Sequence, residues 1–368
     1  MQKKIIALAV ASAMTVPALA FADTTVSGQV NMSYEMYKDG AATETSTNRL
    51  SSNNSRIIFK GSEDLGGGMS AMVQFDARIQ ADTGVNTAGS NPPTSTTTAD
   101  QLFSGNNYLG LKSDSLGTVM AGRFDAPYKS ATRNLDVFYD VAGDNRKGNA
   151  AGIAGLLTHD VRLSNVLAYV SPDMSGFSVA LATAFGAESA TAPATPTATT
   201  DKKGSAYSLA GMYNAGPFNA SLSYQDVKLG GTNTGDLASN GTTTNADDKD
   251  KALKLAGGYK TDAFVVNAVF EQTTSTPATI TVANPEQKRS NYYIGGRFNV
   301  TPNDGIRASY TKRGATSGVT NDANQYAIGY ERTMSKSTSA YATYVKTTDN
   351  TTNVADPSAF SLGVKHAF

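Results

Sequence analysis

An alternation of apolar and polar side chains begins after residue 22 and recurs through the rest of the chain. In the first such segment Val26, Val30 and Tyr34 fall on one face, while Gln29 and Asn31 fall on the other. A closed β-sheet with this pattern can cross a bilayer, because its backbone hydrogen bonds are all satisfied while one face meets lipid and the other meets water. The same split returns at residues 71–79, 218–225 and 264–271.

The connections between these segments set the number of strands. Seven short turns rich in Gly, Pro, Asn and Asp alternate with eight long polar stretches, which together join sixteen antiparallel strands of an up-and-down barrel. Fourteen or eighteen strands remain possible if one hairpin is merged or split. A barrel this wide encloses an aqueous channel. The long stretches are residues 38–54, 82–105, 126–164, 188–204, 229–250, 273–289, 314–322 and 348–357.

The first 22 residues have the pattern of a secretion signal. Lys3 and Lys4 precede a short apolar run, and Ala20 and Ala22 are the small residues that a signal peptidase reads. We expect residues 1–22 to be a cleaved signal peptide and residues 23–368 to form one barrel domain. A retained membrane anchor is the less favoured alternative, since the apolar run is too short to span a bilayer.

Composition narrows the function classes further. The chain has no cysteine, which leaves neither disulfides nor thiolate metal sites. Removing Lys3 and Lys4 from 31 basic residues leaves 29 against 31 acidic ones, a balance of minus 2 that argues against a nucleic-acid partner. No run of about eighteen apolar residues follows the signal, so a helical membrane protein is excluded.

No motif in the chain predicts a catalytic, metal or cofactor site. The two histidines, His159 and His366, lie in different elements without metal-ligand spacing, and we expect both at a surface or interface. Asp247, Asp248 and Asp250 lack the glycine and glutamate of a calcium loop, so a solvated charge run is favoured. No nucleophile elbow with partners for a catalytic triad is present. We therefore expect no enzyme activity, no bound metal and no cofactor.

Several motifs together resemble the trimeric general, non-specific porins of Gram-negative outer membranes, particularly the β-proteobacterial type. They are the run NSRIIFKGSEDLGGG at residues 54–68, YLGLK at 108–112 leading to Gly122-Arg123, residues 165–169 with Ser171-Pro172, and the terminal Phe368. The resemblance implies a homotrimer in the outer membrane, in contact with its lipid and lipopolysaccharide. It also implies that Phe368 is read by the machinery that inserts barrels.

The resemblance further implies that the third long loop, from Ala126 to Ser164, folds into the barrel and narrows the channel. Acidic side chains on the loop would then face arginines on the wall and set a transverse field across the narrowest water. Structural pairing of these charges inside the lumen is the alternative, and the sign of the ion selectivity stays open. The implied constriction residues are Arg56, Arg78, Arg123, Arg162, Asp136, Asp140 and Asp144.

These features predict a water-filled channel for the passive diffusion of small hydrophilic solutes and ions, filtered by size and charge. One alternative is a channel of the same barrel class that selects anions or sugars, which needs a dense basic ladder or a continuous aromatic slide. Another is a barrel enzyme or an adhesin, which needs a catalytic set or a large folded loop.

Overall fold

The computed structural model describes residues 23–41, 43–83, 103–146, 157, 159–185, 204–228, 248–281, 285–316, 319–351 and 355–368. The signal region 1–22 lies outside them. Within them no helix has the length and apolarity needed to span a membrane. The elements are β1 Asp23–Lys38, β2 Ser46–Ser52, β3 Arg56–Gly66, β4 Met69–Arg78, β5 Asn107–Ser113, β6 Gly117–Asp125, α1 Pro127–Ser130, a 3-10 turn Arg133–Leu135, β7 Arg162–Val170, β8 Phe177–Phe185, β9 Ser205–Ala215, β10 Phe218–Lys228, β11 Lys249–Lys260, β12 Phe264–Thr276, β13 Gln287–Asn299, β14 Asp304–Arg313, β15 Ala323–Thr333, β16 Thr338–Asp349 and β17 Ser358–Ala367.

All strands lie in one antiparallel sheet that closes on itself. The first and last strands pair over residues 29–38 of β1 and 358–367 of β17. Beyond that ladder, Gly28 and Phe368 exchange two backbone hydrogen bonds of 2.9 and 3.1 Å. Gly28 is required there, because a Cβ would lie 2.4 Å from the carbonyl oxygen of Arg56 and 2.7 Å from the Phe368 ring. The predicted all-β closed barrel is confirmed.

Two of the seventeen strands share one position in the wall. Strand β1 pairs with β2 through residues 32–38 and with β3 through residues 23–29, so β2 and β3 are the two halves of one interrupted strand. The barrel therefore has sixteen wall positions, as predicted. The expectation of a single long loop at residues 38–54 was wrong, because β2 extends the first hairpin and only residues 39–45 connect it to β1. The interruption at residues 53–55 contains Asn54 with a φ of 60°.

The alternation read from the sequence matches the faces of the barrel. Val30 and Tyr34 are 42% and 41% exposed on the outside of β1, whereas Gln29 and Asn31 are 6% and 0% exposed on the inside. Outward aromatic and aliphatic side chains remain exposed on every later strand from β7 to β17. This outer surface is the apolar band that a barrel presents to lipid.

The inner face is less uniformly polar than the alternation implies. On strands β7 to β9 the inward side chains are mostly small and apolar, and they form one buried cluster with Phe124 and Ala126 at the end of β6. Two more buried clusters join the segment after β6 to the inner faces of β11–β13 and β15–β17. The packed core of this molecule therefore lies inside the barrel, between its wall and an inward-folded loop.

Candidate functional site

The connection between β6 and β7, residues 126–161, is loop 3, and its described residues 126–146, 157 and 159–161 fold into the barrel as expected. Its backbone is held by inward side chains from strands spread around the wall. Four of the hydrogen bonds in this attachment come from four different strands: Ser208 Oγ accepts from Tyr128 N (2.9 Å), Asn267 Nδ2 donates to Leu135 O (2.8 Å), Arg307 Nη1 donates to Val137 O (3.1 Å) and Gln325 Nε2 donates to Gly143 O (2.7 Å).

Phe138 makes the main apolar contact between loop 3 and the barrel wall. Its side chain is fully buried against Ala327 and Tyr341, and the guanidinium of Arg307 lies 5.1 Å from its ring centre. The wall makes room for it with Gly329, where a Cβ would lie 2.9 Å from the ring. Loop 3 is therefore packed against the wall as a core segment would be, with both apolar and polar contacts fixing its position.

Three arginines on strands β3, β4 and β7 form what we call the basic wall: Arg56, Arg78 and Arg162. Arg56 and Arg78 are register partners on the inner face, which they share with the buried Asp76. Arg78 donates to Asp76 Oδ2 at 3.1 Å. Arg162 donates to Asn106 Oδ1 at 2.7 Å. The structure thus brings these three predicted residues together.

The aspartates of loop 3 are satisfied largely within the loop. Asp136 accepts the backbone N–H groups of Phe138 and Asn145, both at 2.8 Å. Asp144 accepts from Arg146, through both its side chain and its backbone N–H. These contacts fix the turn between residues 136 and 146. Asp136 and Asp144 are therefore satisfied mainly by groups of loop 3 itself, and little of their negative charge acts on the barrel wall.

Asp140 is the aspartate that reaches across to the barrel. Its Oδ2 accepts from Asn54 Nδ2 at 2.7 Å, and its carbonyl oxygen accepts from Asn31 Nδ2 at 2.8 Å. Within the loop, Arg146 and Arg133 lie 3.4 and 3.9 Å from its Oδ1. The residue has a φ of 60°, a conformation that this double attachment supports. Loop 3 therefore touches the wall at the junction of β1, β2 and β3.

The pKa values of the buried titratable groups in loop 3 are shifted in different directions. Burial, together with the neighbouring charge of Asp144, raises the pKa of Asp136 to about 7. Burial also acts on Asp144, but the Arg146 guanidinium outweighs it and holds the pKa of Asp144 below its usual range. Burial lowers the pKa of Lys129 to about 8, against the opposing effect of Asp125. Asp136 is thus the loop carboxyl that titrates near neutral pH.

Asp125, at the end of β6, is a central residue that the sequence interpretation missed. Its carboxylate lies 3.0 Å from Lys129, 3.1 Å from Arg133 and 3.1 Å from Arg162. It therefore ties two loop cations to the basic wall. The available signal was its place two residues after Arg123, where β6 ends and loop 3 begins.

Arg123 lies apart from this group. It is the register partner of Asn107, and it has the same strand parity as Val119, which is 48% exposed on the outer face of β6. Its guanidinium donates to Ser164 Oγ on β7. Phe124, its neighbour on β6, is buried on the inner face. A place for Arg123 at the constriction stays a prediction.

Two further expectations about polar residues were wrong. His159 is fully buried in the lumen rather than at a surface, with Gln225 Nε2 3.0 Å from its Nδ1. The acidic run is not solvated where it can be seen, because Asp248 and Asp250 are buried and Asp250 accepts from Ser275 Oγ; Asp247 lies outside the described residues. Across the described ranges no three His, Cys, Asp or Glu side chains form a group that could hold a metal.

The comparisons with known proteins agree with this architecture. The sequence profile of the Gram-negative porin family matches residues 7–353. The major outer membrane protein P.IB of Neisseria lactamica is 25% identical over 352 residues, covering 92% of this chain and 91% of the relative.

Two solved structures share the fold. The anion-selective porin from Comamonas acidovorans superposes with a TM-score of 0.71 at 19% identity, covering 94% of this chain and 100% of that one. A trimer form of OmpT, an outer membrane protein of Vibrio cholerae, gives a TM-score of 0.64 at 12% identity, covering 94% and 99%. The chain belongs to the Gram-negative porin family, and it is a β-barrel of the outer membrane that forms a channel for the passive diffusion of small hydrophilic solutes.

Proposed function

We propose that the narrowest passage of this channel lies between loop 3 and the basic wall, and that it favours small anions over cations of similar size. The observation that carries this proposal is the different pairing of the two sides. Asp140 and Asp144 form ion pairs with Arg146 of the same loop, whereas none of the described residues forms an ion pair with Arg56.

The charge balance around the passage supports the same sign. The basic wall, Asp76, Asp125 and the loop residues from 126 to 146 together carry six cations and five carboxylates, and Asp136 is partly protonated at pH 7. Low-dielectric walls weaken the screening of such an excess, so it raises the local concentration of anions. The cations are Arg56, Arg78, Lys129, Arg133, Arg146 and Arg162, and the acids are Asp76, Asp125, Asp136, Asp140 and Asp144.

A channel dedicated to one anionic substrate is less well supported. The inward arginines of β13 and β14 include Arg297, which pairs with Glu331, and Arg313, which lies 2.7 Å from Asp349. A ladder that guides an anion requires a series of cations that are not neutralised by neighbouring carboxylates. The proposed transport therefore involves diffusion through a filter, with no chemical step and no cofactor.

The proposal also covers export and assembly. Removal of residues 1–22 as a signal peptide is supported by the sequence, in which Lys3 and Lys4 precede a short apolar run that ends in Ala20 and Ala22. The OmpT neighbour is described as a trimer form, which supports a homotrimer. The exposed apolar outer face supports contact with membrane lipid and lipopolysaccharide, and the terminal Phe368, 54% exposed, is available to the insertion machinery. Mass spectrometry of the mature N-terminus and native-mass measurement of the detergent complex test the first two points.

The reversal potential of single channels in a salt gradient tests the proposed passage. We expect the wild-type channel to prefer anions, and the double variant Arg56→Gln with Arg78→Gln to lose that preference. The matched control is Arg332→Gln with Lys336→Gln, which removes two exposed cations at a turn and should leave the reversal potential unchanged.

Three outcomes would count against the proposal: a cation-selective wild type, an unchanged reversal potential in the Arg56 and Arg78 double variant, or an equal shift in the control. Neutralising Asp136, Asp140 and Asp144 together should move the selectivity further toward anions. Because two of these carboxylates are bound inside the loop, we expect most of that change to come from Asp140.

A further inference from the structure

A buried lysine on the inner face of β11 contacts loop 3 near both of its ends. Lys254 is 0% exposed. Its Nζ lies 4.1 Å from the ring centre of Tyr128 and 3.3 Å from Thr132 Oγ1, both near the start of the loop. The same atom forms an ion pair with Asp160, two residues before β7 begins. One wall residue therefore joins segments of the loop that are about thirty residues apart in sequence.

The next strand completes the contact. Glu271 on β12 is also 0% exposed and lies 3.6 Å from Lys254. It accepts the hydroxyl of Tyr128 at 2.7 Å and the side-chain amide of Asn291 at 2.8 Å. Lys254 thus balances two buried carboxylates, one from the loop and one from the wall. Removing a single partner from such a buried group is strongly destabilising, because the remaining charges lose their compensation.

We propose that Lys254 is the positioning residue that holds both ends of loop 3 in the open-channel arrangement. It acts through Asp160 and Tyr128, and it lies away from the basic wall that faces the solute. Releasing this contact would leave Phe138 and the Asp140 turn attached but free the loop's two ends. The loop would then fluctuate into the passage and close it intermittently. This inference rests on the proposal that loop 3 borders the narrowest passage.

The contact depends on protonation, which distinguishes it from ordinary packing. Burial, and the nearby charge of Glu271, raise the pKa of Asp160 above that of an exposed aspartate, although Lys254 opposes this. Acidification therefore removes the charge of Asp160 at a higher pH than it would for a surface carboxyl. The charged and titratable groups that face Asp160 and its neighbour His159 are Lys254, Glu271, Asp250, Lys129 and Tyr128.

His159 does not titrate near neutral pH, so it does not contribute to the pH dependence of this contact there. Burial lowers its pKa to about 4, so the imidazole stays neutral between pH 5 and pH 7.5. Asp136 does titrate in this range, since its pKa is raised to about 7. The pH experiments are therefore made in an Asp136→Asn background, which removes that second loop carboxyl.

The test is the frequency of brief closures of single channels, recorded with the full mature protein in planar bilayers. We expect Lys254→Met to close about ten times more often than wild type, as expected when a buried charge loses its partner. The matched control is Lys251→Met on the same strand, since Lys251 is half-exposed and its nearest carboxylate, Asp226, is 3.8 Å away. The control should close at the wild-type rate.

Two milder variants keep the test informative if Lys254→Met fails to fold. In the Asp136→Asn background, closures should become more frequent as pH falls, and adding Asp160→Asn should make them frequent and independent of pH. Tyr128→Phe, which keeps the ring over Lys254 and loses only the hydroxyl bond to Glu271, should give an intermediate rate that still responds to pH.

Equal closure rates in Lys254→Met and Lys251→Met, or an unchanged closure rate when Asp160→Asn is added to the Asp136→Asn background, would overturn the role of Lys254. Because selectivity is measured separately, such a result leaves the passage at the basic wall standing if Arg56 and Arg78 still control the reversal potential. If those arginines have no effect while Lys254→Met closes often, the proposed passage fails and the positioning role remains.

Discussion

Two regions of the lumen share one strand pattern and differ in what their inward side chains do. The inner faces of β11 to β16, which we call the packed wall, bury Lys254, Glu271, Tyr293 and Tyr341 under loop 3. The basic wall on β3, β4 and β7 carries arginines that are only partly buried, with the side chains of Arg78 and Arg162 18% and 15% exposed. On one side the loop converts the lumen surface into a protein core; on the other it leaves charges facing water.

This difference separates stability from selectivity. A residue of the packed wall holds the loop in place, so its loss should lower the free energy of unfolding or change how often the channel closes. A residue of the basic wall meets solvent and solute, so its loss should change which ions pass. Substitutions in each wall, compared with matched controls, test whether stability and ion selectivity are controlled separately.

The largest effect should follow Phe138→Ala. Removing a fully buried aromatic ring leaves a cavity between loop 3 and the wall, and such changes cost about 3 to 5 kcal/mol. Unfolding by denaturant in detergent measures the loss, and single-channel conductance should rise as the loop loses its seat. The control Phe218→Ala removes a ring of the outer face that is 56% exposed, and it should cost less. Equal costs would show that the loop is not packed as a core.

A smaller loss should follow Gly329→Ala on the same wall. The new Cβ would lie 2.9 Å from the Phe138 ring and 3.0 Å from the carbonyl oxygen of Ala342. Overpacking of this kind typically costs about 1 to 3 kcal/mol. Gly257→Ala is the matched change, because its nearest neighbour would be Asn219 O at 3.6 Å, an ordinary contact. If both variants unfold at the same denaturant concentration, Gly329 is not needed to seat Phe138.

The sequence could predict the outer face and the strand order because both depend on local rules. Alternation along β1 and turn residues between hairpins are each read within about ten residues. It could not predict the packed wall. Ala256 and Val269 break the polar inner pattern because Leu135 and Leu157, which lie about a hundred positions or more earlier in the chain, pack on them.

The same limit explains the errors at the site. Arg56 and Arg162 were identified through the resemblance and Arg78 through its inward parity, and the structure brings the three charges close to one another. Arg123 was also identified through the resemblance, although it has the strand parity of the outward Val119; the extra residue of the β-bulge lies on β7, between Leu163 and Val166. Lys254 and Asp125 were missed because single charged residues within strands have no distinguishing spacing. Their partners are set by where loop 3 comes to rest.

On the basic wall, Arg56→Gln should leave stability almost unchanged, within about 0.5 kcal/mol, because the side chain is only partly buried. Its charge should still matter to passing ions. One unit charge across several ångströms of screened water changes the relative permeability of anions and cations by about twofold. Reversal potentials measured at low and high salt check this, and the shift should shrink as salt rises. A large loss of stability would mean that this wall is also packed.

The smallest effect should come from titrating Asp136, which belongs to the loop but is held against the packed wall. Its Oδ1 lies 3.2 Å from the hydroxyl of Tyr293, and the side chain is almost fully buried, so its charge is directed away from the passage. With a pKa of about 7, the carboxyl gains a proton as pH falls from 8 to 6. Losing one negative charge moves the selectivity toward anions, by less than the change expected for Arg56→Gln because the charge lies further from the solute. Asp136→Asn should abolish that pH dependence and match the wild-type channel at pH 6. A shift toward cations on acidification, or one that survives in Asp136→Asn, would show that a group on the basic wall titrates instead, and the separation between the two walls would fail.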